Sequence, residues 1–145
     1  LIVEDDKVLS LLLTKMMQKM EMNVVATVTE GREAIRCAKE LNPDLILMDI
    51  MLEDDVDGID AISTLQSEKV NIPVIFITGN SDSYNRERAN AIEYVDYLVK
   101  PINFTILKES VAKVNSWRFA YNQKQFKLCS KIDLNVINKK DLYKN

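Results

Sequence analysis

The stretch DLILMDIML, residues 44–52, opens on Asp44 and is then apolar on both sides of Asp49. Leu45, Ile46, Leu47 and Met48 lead in, and Ile50, Met51 and Leu52 lead out. A run without polar alternation is the pattern of a strand covered on both faces, as in a parallel sheet. A carboxylate there is costly to bury unless water, a cation or hydrogen-bond donors meet it. Asp49 therefore predicts a buried strand together with a site that has a use for its charge.

Four more apolar runs flank this one: LIV (1–3), NVVATV (23–28), PVIFIT (73–78) and YVDYLV (94–99). The runs at 1–3 and 73–78 also lack alternation. Helical spacing fills the gaps. Val8, Leu12, Leu13, Met16 and Met20 make one stripe. Ala34, Ala38 and Leu41 make a second, with Cys37 beside them, and Ile59, Ile62 and Leu65 a third. Residues 83–92 are more polar, anchored by Ala89 and Ile92. The last stripe is Ile106, Leu107, Val111, Val114 and Trp117, continuing to Tyr121. Strand alternating with helix five times predicts an α/β, doubly wound parallel sheet with helices on both faces. In such folds chemistry gathers at the carboxyl ends of the strands, near the point where strand order reverses.

The 145 residues suit one domain with a short appendage. Charge is unevenly spread. Residues 1–118 hold 13 Lys and Arg against 20 Asp and Glu, whereas residues 119–145 hold 6 Lys against 2 Asp. An acidic globular part argues against nucleic acid as its direct ligand. Cys37 and Cys129 lack metal-type spacing and read as free thiols in a reducing, cytoplasmic compartment. No apolar run has the length of a membrane span. The chain opens at Leu1 inside an apolar run, so its start is expected to lie upstream. With no histidine, His-based triads, most zinc sites and an internal phosphohistidine are excluded. Residues 124–145 leave the alternating pattern and read as a helix extension, a packed arm or the start of a truncated next domain.

The strand ends carry the chemistry. The first run ends in Glu4-Asp5-Asp6, the third in Asp49, the fourth in Thr78-Gly79 and the fifth in Lys100-Pro101. Each has a plainer reading alone. Asp5 or Asp6 can cap the first helix. Asp49 can form a turn, Thr78 can end any strand, and Lys100 can be a solvated turn residue. Together, at successive strand ends, these types are much less expected by chance. Crowded carboxylates raise each other's pKa unless a cation intervenes. A divalent cation with hard oxygen ligands suits them, and a lysine adds a second positive charge. Such a crevice suits a multiply charged oxyanion, as when a phosphoryl group joins Asp49.

The motifs LIVEDD, LILMDIMLEDDVDGIDAI, IPVIFITGN and VDYLVKPI, in this order and spacing, resemble the receiver domain of two-component response regulators over residues 1–118. The resemblance implies a flavodoxin-like (βα)5 three-layer sandwich with strand order 2-1-3-4-5, followed at 119–145 by an extension of helix five, a tail or the start of a truncated linker. It implies Asp49 as phosphoacceptor. Mg2+, or Mn2+ in its place, would be held by Glu4, Asp5, Asp49 and the backbone carbonyl of Met51, with Glu4 acting mostly through water. Asp6 would be the helix cap. Thr78 is implied as the switch hydroxyl, Gly79 as the small residue beside it, Lys100 as the phosphate-contacting lysine and Tyr97 as the switch aromatic, with a cis peptide between Lys100 and Pro101. The phosphoryl donor would be a histidine kinase or a histidine phosphotransfer protein. The signal would leave through the face of helix four, strand five and helix five, toward an output domain or effector or into a homodimer. Neither nucleic acid nor membrane is an implied ligand of this domain. It is a switch that assists its own phosphorylation and dephosphorylation, not a multiple-turnover enzyme.

The loop after Asp49 departs from the family, reading EDDVD before Gly58 where many members have a shorter proline-glycine turn. Glu53, Asp54 and Asp55 are expected to be a solvated acidic loop. Glu53-x-Asp55-x-Asp57-Gly58 imitates half a calcium hand, but Thr64 stands where its glutamate belongs. A haloacid-dehalogenase-like phosphohydrolase shares the residue types but needs an aspartate at Met51. A flavodoxin-type binder needs a Ser/Thr/Gly-rich loop where EDDKVLS stands. A degenerate scaffold receiver would lack some of the filled positions.

Overall fold

The computed structural model describes residues 1–79 and 83–141, with side chains as far as residue 131. Asn80 of the motif IPVIFITGN and residues 142–145 of the tail lie outside the described residues. Among the described residues five strands alternate with helices, and a sixth helix follows the fifth. They are β1 (Ile2–Val3), α1 (Lys7–Lys19), β2 (Thr27–Val28), α2 (Gly31–Leu41), β3 (Ile46–Met48), α3 (Gly58–Ser67), β4 (Val74–Thr78), α4 (Ser83–Ala89), β5 (Asp96–Val99), α5 (Phe104–Ala112) and α6 (Val114–Asp141). The strands form one parallel sheet in the order β2-β1-β3-β4-β5. Ile2 pairs with both Thr27 and Leu47, so strand order reverses at β1. The crevice beyond the carboxyl ends of β1 and β3 is the expected place for a site.

The absence of alternation in β3 and β4 has its cause in two cores. Val3, Ile46, Met48, Val74 and Phe76 face one, shared with Ala34, Cys37 and Ala38 of α2, Ile59, Ile62 and Leu65 of α3, and Ala89 of α4. Ile2, Leu47, Ile75 and Ile77 face the other, with Leu13 and Met17 of α1 and Leu107 and Val111 of α5. Successive residues point to opposite faces, so a central strand covered on both faces must be apolar throughout.

The phase of α1 differs from the predicted stripe. Leu13 and Met17 are buried, with Leu9, Met16 and Met20 packed beside them, whereas Val8 is 79% and Leu12 44% exposed. The runs LLL and MM offer more than one apolar face, and local spacing does not choose between them. Leu41 and Ile106 also lie outward, at 46% and 39% exposure.

Contacts divide the chain into Leu1–Val114 and a second unit beginning at Asn115. α6 begins right after Lys113, whose backbone is itself close to helical. Within the second unit Trp117 and Tyr121 stack at 5.2 Å, one helical turn apart. Arg118, Phe119 and Lys124 are exposed. No helix among the described residues is long and apolar enough to cross a membrane.

Candidate functional site

Each site residue is delivered by the end of a strand. β1 carries the chain into Glu4 and Asp5, and Asp6 then opens α1. Its carboxylate accepts the amides of Val8 and Leu9 at 2.9 and 3.1 Å, satisfying donors that the first turn leaves free. This leaves Asp5, half-buried, without the capping task. β3 ends at Asp49, whose amide donates to the Val3 carbonyl at 2.9 Å and so ties the two strand ends together. β4 ends at Thr78, fully buried, and β5 at Val99, followed by Lys100 and a cis peptide to Pro101.

These ends converge. One carboxylate oxygen from each of Glu4, Asp5 and Asp49 lies within 4.8 Å of the others. Lys100 Nζ donates to Asp49 Oδ2 at 2.9 Å and lies 2.9 Å from Glu4 Oε2. The second contact is an ion pair without an aligned hydrogen bond. The other oxygen of Glu4 accepts the Asp6 amide at 3.1 Å. Glu4 and Asp49 are 2% and 4% exposed.

One ammonium therefore faces two buried carboxylates and a third that is half-buried. Burial pushes the Glu4 carboxyl up to about 7, and the charge of Asp49 adds to this. Lys100 and the Asp6 amide work the other way. Burial pulls Lys100 down, but Asp49 and Glu4 outweigh it and hold its ammonium above the usual range. The negative charge exceeds what Lys100 neutralises, and the donors are hard oxygens. This cluster could hold a divalent cation. Met51, two residues past Asp49, is exposed.

Tyr97 lies on β5 with its ring buried at 8% exposure. It packs against Phe76 and Tyr94, with ring centroids 6.0 and 6.4 Å away, and the Arg86 guanidinium of α4 lies 4.6 Å over its face. Gly79, beside Thr78, has open space where a Cβ would stand.

Three features escaped the sequence reading. Gly58, which opens α3, lies under the Asp49 carbonyl, where a Cβ would come within 2.1 Å of that oxygen. Arg88 of α4 reaches Asp57, the cap of α3, at 2.7 Å and Asp60 at 3.0 Å. The third corrects an expectation. Asp54 is not a solvated loop residue: its side chain is 12% exposed, and it accepts the amides of Gly31 and Arg32 at 2.8 and 3.0 Å. The amides that open α2 are strong donors in need of an acceptor, and a carboxylate brought by the longer loop supplies it. Asp55 is exposed but held by Arg32, while Glu53 is exposed. With Asp55 on Arg32 and Asp57 on Arg88, the loop's carboxylates are drawn to arginines and do not gather as a calcium hand would require. Only the Asp57 and Gly58 spacing ahead of an apolar run hinted at any of this, as a helix-start signal.

The family model of the response regulator receiver domain matches residues 1–112. The transcriptional regulatory protein PdtaR of Mycobacterium tuberculosis is 33% identical over 107 residues, covering 74% of this chain and 51% of the relative. The probable C4-dicarboxylate response regulator DctR of Halalkalibacterium halodurans is 29% identical over 114 residues, 78% of this chain and 49% of the relative. Among solved structures, the signal receiver domain of a modulated diguanylate cyclase from Desulfovibrio desulfuricans is 32% identical, with a TM-score of 0.74 over 82% of this chain and 94% of that one. The chain spans about half the length of these curated relatives.

Proposed function

The chain belongs to the response regulator receiver domain family, and we propose that it is a phosphorylation-controlled switch with Asp49 as the acceptor. Response regulators pair with histidine kinases and output domains. The donor in this reading is a phosphohistidine on a kinase or phosphotransfer protein; residues 1–145 hold no histidine, so the phosphohistidine lies on another molecule or on a segment outside them. The P–N bond of the donor breaks, its imidazole leaves with the electron pair, and a carboxylate oxygen of Asp49 forms the new P–O bond. Water later attacks the phosphoryl group, returning inorganic phosphate and the free carboxylate, so the signal resets. The role is that of a switch that assists its own modification, not of a multiple-turnover enzyme, and its place is the cytoplasm.

The single observation that carries this reading is the meeting of Glu4, Asp5 and Asp49 oxygens within 4.8 Å, with Lys100 at 2.9 Å from two of these residues. Mg2+, held by Glu4, Asp5, Asp49 and the Met51 carbonyl, would supply positive charge against the added oxyanion, with Mn2+ as a substitute. Lys100 already bonds Asp49 and can follow the charge onto a phosphoryl oxygen. The Thr78 hydroxyl moves to another, and Tyr97, whose ring is already buried here, changes rotamer as Thr78 moves. The face of α4, β5 and α5 then changes shape for an output domain, an effector or a second copy. The short α4, with Ala89 as its buried apolar anchor, suits an element that shifts. A phosphohydrolase of haloacid-dehalogenase type finds no support, since Met51 stands where its acid would be.

Labelling with acetyl phosphate tests the reading. Wild type should take up a single labile phosphoryl group in the presence of Mg2+, and Asp49→Asn should take up none. Equal labelling of the variant would overturn the assignment.

A further inference from the structure

The loop that follows Asp49 is fastened to α2 by groups with no part in phosphoryl transfer. Asp54, in its middle, accepts the amides of Gly31 and Arg32 across more than twenty positions of sequence. Glu30, the residue that precedes α2, makes no side-chain capping bond, so the cap comes from this loop. The Arg32 guanidinium grips Asp55 at 2.9 and 3.0 Å. Val56 lies so close to α2 that a Cβ on Gly31 would stand 2.1 Å from its carbonyl oxygen. Leu52 and Val56 also pack on the core. The loop is closed at its base as well, where the Gly58 amide donates to Ile50 at 2.8 Å.

We propose that Asp54 is a positioning residue for the divalent cation: by docking the loop on α2 it holds the Met51 carbonyl ready for the metal. The inference rests on the reading above. A free loop that carries a ligand must be ordered when the ion binds, and that entropy is lost from the affinity. A loop already latched at Asp54, three residues from Met51, has given up that freedom on folding. The latch also explains why the longer, acidic loop keeps a defined shape: its extra carboxylate is spent on α2 amides.

Mn2+ binding, followed by electron paramagnetic resonance of the free ion or by calorimetry, tests this without reference to phosphorylation. Asp54→Ala should weaken Mn2+ binding about tenfold, near the lower end for a partner that supports a metal ligand. Gly31→Ala should do the same with every charge intact, because its methyl drives Val56 and the loop outward. Glu53→Gln removes an equal charge from an exposed neighbour and should change binding less than about twofold. Should Asp54→Ala not fold, Asp54→Asn, which keeps one acceptor oxygen, takes its place with a smaller loss. An Asp54→Ala protein that is merely less stable, with wild-type Mn2+ affinity, would overturn the proposal. So would a Glu53→Gln loss equal to that of Asp54→Ala, which would make charge alone the cause. A wild type with no Mn2+ site would overturn the receiver-site reading itself, whereas an intact site indifferent to Asp54 would overturn the latch only.

Discussion

Replacing Glu4 by Gln is expected to stabilise the metal-free protein at neutral pH while weakening its cation site. Glu4 is 2% exposed, and burial together with the Asp49 charge raises its carboxyl from 4.5 to about 7. The folded pKa lies above the unfolded one, so between these values the folded state keeps a proton that the unfolded state releases. The stability this proton supplies is complete below pH 4.5 and is lost as pH rises through 7. The window is about 2.5 units, and at ~1.4 kcal/mol per unit its upper bound is ~3 kcal/mol. Lys100, with its side chain 23% exposed, leaves the cleft open to solvent, and screening reduces this to about 1–2 kcal/mol. Gln has the shape of the protonated acid and needs no proton. Urea unfolding in chelator, compared by midpoint at a common slope, should show near-equal stabilities at pH 4.5 and the variant ahead by about 1–2 kcal/mol at pH 8. Saturating Mg2+ should reverse the order, because ligand binding stabilises by mass action the protein that holds it better. A difference that does not change with pH, or a variant less stable than wild type at pH 8 in chelator, would refute the reasoning.

Lys100→Ala should keep the fold and still take label on Asp49, while the NMR signals of Thr78 and Tyr97 cease to respond to acetyl phosphate; a normal response would mean that Lys100 is dispensable to the switch. Leu13→Ala should cost about 3 kcal/mol and Leu12→Ala less than ~0.5 kcal/mol in urea unfolding, since the first is 1% and the second 44% exposed. Asp57→Ala should cost about 1 kcal/mol at neutral pH through loss of the α3 cap and the Arg88 pair. Burial works against the Asp57 charge, but Arg88 and the Asp60 amide outweigh it and hold the carboxyl below its usual range. Its contribution is thus present above the unfolded value of 3.8 and disappears as pH falls through the lowered one. Denaturation curves for variant and wild type should converge in acid.

The parallel sheet was legible because a strand buried on both faces must be apolar at nearly every position, a rule that acts within a few residues, as in Ile46–Met48 and in residues 74–77. The candidate site was legible for a related reason. Glu4, Asp5, Thr78 and Lys100 stand where an apolar run stops and Asp49 where one is interrupted, and parallel strands bring such breaks to one edge. The acidic loop was misread because Asp54 looks like any surface carboxylate until its partner on α2 is known.

By itself, then, the sequence determined the layers and the residues that stand at the strand ends, since each is written in periodicity or where an apolar run breaks, while the strand order that brings those ends together came only from the resemblance to the receiver family. Only the tertiary structure decided which face of α1 turns inward, that Asp54 caps α2, and that Arg88 ties α4 to Asp57. These last two contacts join residues 22 to 31 positions apart, and the choice among several apolar faces depends on the surface opposite. Local spacing holds no trace of a partner that arrives only when the chain closes on itself.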